Sequence, residues 1–198
     1  MKKLNQYIYQ KRVKKHLAEH PREKRFVNYD NAKSVILLFE SDYTERNPFI
    51  KRVMEQFKAE GKKVCAWGFL DKKEVTSPIL PDYRVLNKKM CDWSGRPKEA
   101  FLRELADNEY DLLIDLTVNR FLPMQYITLY ANAACKAGVH KGDDNLLDFQ
   151  LQLPESEPET SDANDTETAD ETAEEQLIDG HFIFNQLIFY LKTIQTND

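Results

Sequence analysis

The most constraining feature of this sequence is an unbroken apolar run, Val35 to Phe39. A strand with one face in water alternates apolar and polar residues, whereas a continuous apolar run suits a strand that is covered on both faces. A second, mainly apolar run occurs at 111–117, which reads Asp-Leu-Leu-Ile-Asp-Leu-Thr. Such strands lie at the centre of parallel sheets between layers of helices, so the two runs predict an α/β domain.

The segments around these runs contain amphipathic stretches with helical period. Asn47-Pro48 places an N-cap residue before a proline at the first helical position, and the apolar stripe that follows ends at Gly61. This alternation predicts a three-layer, Rossmann-like α/β domain with a mostly parallel, doubly wound sheet, and right-handed crossovers limit it to a few strand orders. The predicted strands are 34–39, 63–69, 83–86, 111–117, 137–140 and, at a sheet edge, 149–153; the predicted helices are 47–61, 98–108, 123–135 and 178–194.

Charge is distributed unevenly along the chain, although the net charge of the 198 residues is only −5. Residues 1–26 carry nine basic and two acidic side chains, a charge of +7, and residues 155–175 carry ten acidic side chains and no basic one. The acidic stretch has few apolar groups to bury and repels itself, which predicts disorder. We therefore expect a basic, helical N-terminal arm at 1–30, a single α/β domain at 31–153 plus 176–198, and a disordered acidic insertion at 154–175.

Several classes of protein are disfavoured by the composition. The longest apolar run is far shorter than the ~20 residues that a membrane-spanning helix needs, and no secretory leader is recognisable. Cys65, Cys91 and Cys135 are widely spaced and form no CxxC pair, which is typical of reduced thiols in a cytoplasmic protein. We therefore expect a cytoplasmic protein without a transmembrane segment, a disulfide framework or a cysteine zinc site.

The loops expected beyond the carboxyl ends of the strands, where open α/β sheets bind their ligands, are rich in polar residues. Asp115 stands inside an apolar strand, so its carboxylate must lie at the strand end, meet a partner or belong to a site. Loops over a parallel sheet are polar in any case, and this structural interpretation is favoured over a functional one. The candidate catalytic residues are Asp42, Asp115, His140 and Asp143, and the candidate ligand-binding residues are Glu40, Ser41, Asn119, Arg120 and Lys141.

The motifs of common nucleotide and hydrolase sites do not occur in the sequence. There is no GxxxxGK[ST], no GxGxxG follows either buried run, and Ser41 lacks the glycines of a GxSxG elbow. Asp115 and Asp143 could hold magnesium, but no ligand spacing demands it. No metal and no cofactor are therefore predicted.

The basic N-terminal segment is open to more than one interpretation. Leu4, Ile8, Val13 and Leu17 form a loose apolar side of a helix, and a solvated helix packed on the sheet, or a partly ordered arm, is favoured. Weak contact with an anionic membrane or RNA is the alternative, although acidic residues and a proline interrupt the charge. The acidic insertion could also attract this arm, in the same molecule or in another.

Three stretches of the sequence resemble a known family. They are Val35–Phe39 running into Glu40-Ser41-Asp42, the stretch 110–116, which reads Tyr-Asp-Leu-Leu-Ile-Asp-Leu, and the stretch 137–140, which reads Ala-Gly-Val-His. Together they resemble an uncharacterised family of small Bacteroidota proteins, which implies a cytoplasmic α/β protein of unknown function and supplies no catalytic residues. The stretch 110–116 followed by Lys136-Ala137-Gly138-Val139 also looks like the N-terminal half of heptosyltransferase-type enzymes. That likeness implies a shared fold without the second, nucleotide-sugar domain, for which the chain has no room.

Two functional hypotheses follow. The first is a non-catalytic binding or interaction module, because catalytic signatures are missing and two segments of opposite charge accompany the domain. Its partner, unknown from the sequence, would be a protein, or an anionic membrane or RNA contacted weakly through the basic arm. The alternative is a small enzyme, or a glycosyltransferase-like fold, that uses a polar crevice at the carboxyl ends of the strands.

Overall fold

The chain folds around one six-stranded sheet. The computed structural model describes residues 2–41, 47–71, 83–142, 146–153 and 171–194. All five pairs of neighbouring strands are parallel, in the order β3-β2-β1-β4-β5-β6. The strands are β1 (Ser34–Glu40), β2 (Lys63–Leu70), β3 (Arg84–Asn87), β4 (Glu109–Asp115), β5 (Asn132–Val139) and β6 (Phe149–Leu151).

Helices cover both faces of this sheet, which confirms the predicted Rossmann-like α/β fold. Helices α2 and α5 share one hydrophobic core with the sheet, and α3 and α4 share another on the opposite face. No helix in the described part of the chain is both long and apolar enough to cross a membrane. The helices are α1 (Lys2–Glu19), α2 (Pro48–Ala59), α3 (Glu99–Asp107), α4 (Leu122–Tyr130) and α5 (Glu171–Thr193).

The apolar run that predicted a central strand lies in β1, between β2 and β4. Its side chains alternate between the two cores: Val35, Leu37 and Phe39 pack toward α2 and α5, whereas Ile36 and Leu38 pack toward α3 and α4. All five are 3% exposed or less. Burying a side chain of this size is worth about 1.5–3 kcal/mol, so this single strand joins the two halves of the core.

Helix α2 has the ends that the sequence predicts. The Asn47 side chain accepts a hydrogen bond from the Ile50 N–H at 3.1 Å, and Pro48 is the first helical residue. The chain leaves the helix through Gly61, whose φ of 75° lies in the left-handed region that glycine tolerates best.

Two predicted helix boundaries differ from the structure. The helix predicted at 123–135 is wrong beyond Tyr130, because Asn132–Val139 form β5 and pair with β4. The alanine-rich sequence there favours a helix locally, but the open edge of β4 provides strand pairing that overrides this propensity. Helix α5 begins at Glu171, so residues 171–175 of the predicted insertion are helical. The disorder predicted for 154–170 concerns residues that lie outside the described ranges.

The predicted packing of the N-terminal helix on the sheet is wrong, because α3 and α4 already cover that face of the sheet. Helix α1 forms an additional layer on the side of α4 that faces away from the sheet. Tyr9 and Val13 pack with residues of α3 and α4, and every residue of α4 from Pro123 to Leu129 is buried. Leu4 and Leu17, predicted to lie on the apolar side of α1, are 54% and 44% exposed. Tyr9 is the buried residue in their place, because it lies one turn before Val13 on the same side of the helix.

The segment 20–27, here called the strap, connects α1 to the opposite face of the sheet. The Arg22 guanidinium donates to the Ala133 carbonyl at 2.8 Å and to both carboxylate oxygens of Asp148 at 2.5 and 2.6 Å. Burial opposes ionisation of Asp148, but the bonds from Arg22 outweigh it and lower the pKa of that carboxyl. Part of the positive charge of the N-terminal segment is therefore paired with groups of the same domain.

A glycine substitution tests the close packing of β5 against β4. A Cβ at Gly138 would lie 2.7 Å from the Asp115 carbonyl oxygen and 2.9 Å from the Asp115 Cβ. We expect Gly138→Ala to lower the free energy of unfolding in urea by about 1–3 kcal/mol, because the backbone must shift.

Gly180→Ala is the matched control for this variant. Its added Cβ would meet only the Phe49 ring, at an ordinary 3.5 Å, and alanine favours the helix by about 1 kcal/mol. The two variants should therefore change stability in opposite directions, and equal losses would contradict the packing described here.

Candidate functional site

The strand order reverses between β1 and β4, and their carboxyl ends flank a crevice. The next two strands along the chain, β2 and β3, lie on one side of β1, and β4 lies on its other side. Ligands of open α/β sheets bind at such reversal points. Glu40 and Asp115 are the last residues of β1 and β4, and both are candidates predicted from the sequence.

The Glu40 carboxylate binds the loop that follows β4. It accepts hydrogen bonds from the N–H groups of Val118 and Asn119 at 2.9 and 2.7 Å, and from the Asn119 side-chain amide at 2.9 Å. Successive backbone N–H groups of this kind can form an anion site. In this chain they are held by an internal carboxylate, which brings two of the predicted ligand-binding residues, Glu40 and Asn119, together as partners of each other.

Asp115 forms a closed arrangement with Thr117 and Lys141. One Asp115 oxygen accepts from the Thr117 N–H at 2.9 Å and from its hydroxyl at 2.6 Å, and the other accepts from Lys141 Nζ at 2.6 Å. Lys141 also donates to the Thr117 hydroxyl oxygen. Asp115 is only 4% exposed and Thr117 is fully buried, so the ammonium group supplies the partner that a buried carboxylate needs.

A cavity of about 40 Å³ adjoins the Asp115–Lys141 pair. Pockets that hold small molecules begin at about 300 Å³, so this space suits a few water molecules. The cavity is lined by Asp115, Gln125, Thr128, Val139, Lys141, Gly142, Leu146, Leu147 and Gln150.

The other predicted site residues are dispersed or outside the described ranges. Asp42 and Asp143 lie outside the described ranges. His140 is exposed and its Nδ1 lies 2.5 Å from the Gln150 side-chain oxygen, and the Ser41 N–H donates to the Phe69 carbonyl at 2.8 Å. The described residues contain no group of three or more His, Cys, Asp or Glu side chains arranged to hold a metal ion.

Arg120 is the remaining candidate, and it lies beside the loop that carries Lys141. A Cβ at Gly142, which has a φ of 107°, would be 3.4 Å from one guanidinium nitrogen of Arg120. The structure therefore brings Asp115 and Lys141 together at this edge, with Arg120 next to the residue that follows Lys141.

Lys136 is a buried charged residue that the sequence reasoning did not single out. It is 3% exposed, and its Nζ donates to the Thr128 and Leu129 carbonyls at 2.5 and 3.4 Å. These carbonyls lie in the last turn of α4, where a cation complements the helix end. Burial, reinforced by the nearby Arg22 charge, lowers the Lys136 pKa to about 7. A lysine inside the stretch Ala-Ala-Cys-Lys-Ala-Gly was the signal that could have revealed it.

A larger groove, of about 1290 Å³, lies at the amino edge of the sheet. It runs between the strap, α3 and the end of α4, and Lys136 is among its lining residues. Side chains of both signs border it, including Arg25, Arg103, Glu109 and Asp111. Sequence reasoning considered only the carboxyl ends of the strands and did not anticipate this groove.

Comparison with known proteins identifies a family to which the chain is similar. The model of a family described as a "Family of unknown function (DUF6913)" matches residues 5–164, which include every strand of the sheet. No curated protein and no solved structure matches the chain.

Removal of one partner of the Asp115–Lys141 pair is expected to destabilise the protein. Lys141→Met leaves a buried carboxylate without its cation, and we expect the free energy of unfolding to fall by about 3–5 kcal/mol. The double variant Asp115→Asn/Lys141→Met should recover part of this loss. Lys88→Met breaks an exposed pair with Asp71 and should cost less than about 1 kcal/mol. Similar losses in Lys141→Met and Lys88→Met would refute the importance of burial at Asp115.

Lys136 is expected to make the stability of the protein depend on pH in the alkaline range. Its pKa is lower in the folded state, at about 7, than in the unfolded state, at about 10.5, so the unfolded chain binds more protons in this window. Stability should therefore rise with pH between these values, by up to about 1.4 kcal/mol per pH unit. Urea titrations between pH 7 and 9 should show a shallower rise for Lys136→Met than for the wild type. Parallel curves would contradict the burial of a titrating amine.

Proposed function

The chain belongs to the DUF6913 family of unknown function, and we propose from its geometry that it is a non-catalytic binding module that holds an acidic protein segment. The proposed surface is the α1–Trp93 face, defined as Leu4, Tyr7, Lys11, Lys14 and Trp93. The observation that carries the proposal is that a helix whose inner side is fixed, together with the adjoining loop of Trp93, presents aromatic and basic side chains to solvent.

The inner side of α1 is anchored by packing and hydrogen bonds. Tyr9 is fully buried, and the Arg12 guanidinium donates to the Ser94 hydroxyl at 3.0 Å and to the Tyr126 hydroxyl at 3.2 Å. The Asn5 side-chain amide donates to the Trp93 carbonyl at 3.3 Å, which joins the loop of Trp93 to the helix. The α1–Trp93 face is therefore held in place before any partner binds, and this reduces the entropy cost of binding.

The outer side of α1 combines apolar area with positive charge. Tyr7 and Leu4 are 58% and 54% exposed, and Trp93, in the neighbouring loop that Asn5 binds, is 74% exposed. The Lys11 ammonium lies 5.6 Å from the centre of the Tyr7 ring. Exposed tryptophan and tyrosine are the residues that most often dominate protein interfaces, and the lysines select a partner of negative charge.

The way the arginines are used favours a protein partner over RNA. Arg12 and Arg22, which could contact phosphates, are hydrogen-bonded to other residues of the domain, so the face offers lysines alone. An acidic protein segment with some apolar groups fits both the charge and the aromatic area of the face.

The carboxyl edge supports a non-catalytic function. Glu40 and Asp115, two side chains with the chemistry for catalysis, are bound by the chain's own loop amides and by Lys141. The adjoining cavity of about 40 Å³ is too small for a metabolite. We infer a cytoplasmic protein from its three cysteines, which form no disulfide.

A binding experiment with a defined probe tests the proposal. The probe is a labelled acidic peptide that alternates Glu with Leu and Phe, and its binding to the full chain is followed by fluorescence anisotropy. We expect saturable binding that weakens with salt and that falls at least about tenfold, or about 1.4 kcal/mol, in Lys11→Glu/Lys14→Glu and in Trp93→Ala. Lys51→Glu/Arg52→Glu, a charge reversal at exposed positions of α2 on the opposite side of the domain, is the matched control and should bind normally.

Other outcomes of this experiment decide against the proposal. No binding of the peptide, or equal binding by the α1 and α2 variants, would refute it. RNA of similar length and phosphatidylglycerol vesicles are tested in parallel. Tighter, α1-dependent binding of either would replace the acidic protein segment with a polyanion or a membrane.

One observation favours a second candidate function, a small enzyme that uses the carboxyl edge. Asp115, Thr117 and Lys141 place a carboxylate, a hydroxyl and an ammonium group in mutual contact at the edge where α/β sheets bind ligands. This function includes the glycosyltransferase-like interpretation of the fold. Thermal-shift screening with magnesium, nucleotides and sugar phosphates tests it, because a ligand of the folded state raises the melting temperature. A shift that is lost in Asp115→Asn would favour the enzyme, and no shift with any of these ligands would dismiss it.

A further inference from the structure

We propose that the acidic segment bound by the α1–Trp93 face is residues 155–170 of a second copy of this chain. The inference rests on the proposed function, since it uses the same face, and it names the partner. Three lines of argument carry it: the charge of the two surfaces, the length of chain available, and the symmetry of the product.

The charges of the segment and the face are complementary. Residues 155–170 contain seven acidic side chains and no basic one. The exposed side of α1 carries Lys3, Lys11, Lys14 and Lys15. Pro158 and two alanines are the apolar residues of the segment, and a proline ring offers a flat apolar contact to Tyr7 or Trp93. Opposite charges on both partners speed their encounter and discourage other partners.

Chain length favours a second copy over the same copy. The segment leaves the edge strand β6 near Leu153 and returns at Glu171 to α5, which lies on the face of the sheet opposite α1. The α1–Trp93 face lies two helix layers from the sheet, and each layer adds about 9 Å. A path out to that face and back to the α5 layer needs roughly 55–60 Å of chain. The 18 steps from Leu153 to Glu171 span at most about 65 Å when fully extended, so contact within one molecule would require an almost straight chain over the whole path.

Reciprocal exchange between two copies gives a closed product. Each copy supplies one acidic segment and one α1–Trp93 face, so a twofold axis satisfies both copies and leaves no surface for further growth. The second contact forms within the complex, and its high effective concentration strengthens two weak contacts into one stable dimer. Both contacts are electrostatic and exposed, so the dimer should dissociate as salt screens them.

Sedimentation velocity of the full chain, over a range of protein concentration at low and high salt, tests the inference. We expect a dimer at low salt and a monomer at high salt. Lys11→Glu/Lys14→Glu should be monomeric at low salt, as should a variant in which every Glu and Asp of 155–170 is replaced by Gln or Asn. Mixing these two variants restores one contact and should yield a weak heterodimer. Lys51→Glu/Arg52→Glu should dimerise like the wild type.

Zero-length carbodiimide cross-linking of mixed ¹⁵N-labelled and unlabelled copies identifies the contact. Cross-links from Lys11 or Lys14 to residues 155–170 should join labelled to unlabelled chains. A monomer at every concentration and salt, or cross-links confined to one copy, would overturn the inference.

The acidic peptide probe separates failure of this inference from failure of the proposed function. A monomeric chain whose α1–Trp93 face still binds the probe would retain the proposed function and lose only the second copy as partner. A chain that neither dimerises nor binds the probe would lose both. The neutralised variant should bind the probe at least about tenfold more tightly than the wild type at low salt, because its face is no longer occupied, and unchanged affinity would also count against the second copy.

Discussion

Burial of β1 on both of its faces is the constraint on which the rest of the structure depends. A strand covered on two sides needs a layer of helices on each, and parallel neighbours need crossover connections that supply those helices. Because all six strands run in one direction, their carboxyl ends meet at one edge, and the loops after β1 and β4 become neighbours. The pairing of Glu40 with the β4 loop is therefore a consequence of the sheet, although 78 residues separate Glu40 from Val118.

Several charged groups in this protein complete the fold. Asp115 with Lys141, and Arg22 with Asp148, pair acids with bases that are distant in the chain. Lys136 binds the carbonyls at the end of α4. These interactions divide the basic N-terminal side chains into those that stabilise the fold and those that remain exposed. Part of this charge lies in the strap and is bound at the edge of β5. The rest lies on the outer side of α1, and only these exposed charges are available to contact a partner.

Local patterns predicted the elements whose surroundings match their own propensities. The β1 run and the capped start of α2 at Asn47 were recognised because burial on both faces and N-capping leave direct marks in the sequence. The end of α4 was misplaced because residues 132–136 favour a helix locally, yet strand pairing with β4 is worth more. Leu4 and Leu17 were assigned to the wrong side of α1 because the choice of its buried side depends on α4 and not on α1.

By itself the sequence determined the α/β class, the central position of β1, the presence of polar loops at the carboxyl edge and the separation of basic and acidic segments. These properties depend on residue order over short distances. Only the tertiary structure decided that Asp115 meets Lys141, that Glu40 binds the β4 loop, that Lys136 is buried and that Trp93 lies beside α1. Each of these contacts joins residues from different elements, and their proximity is set by strand order and helix packing, which local sequence does not encode.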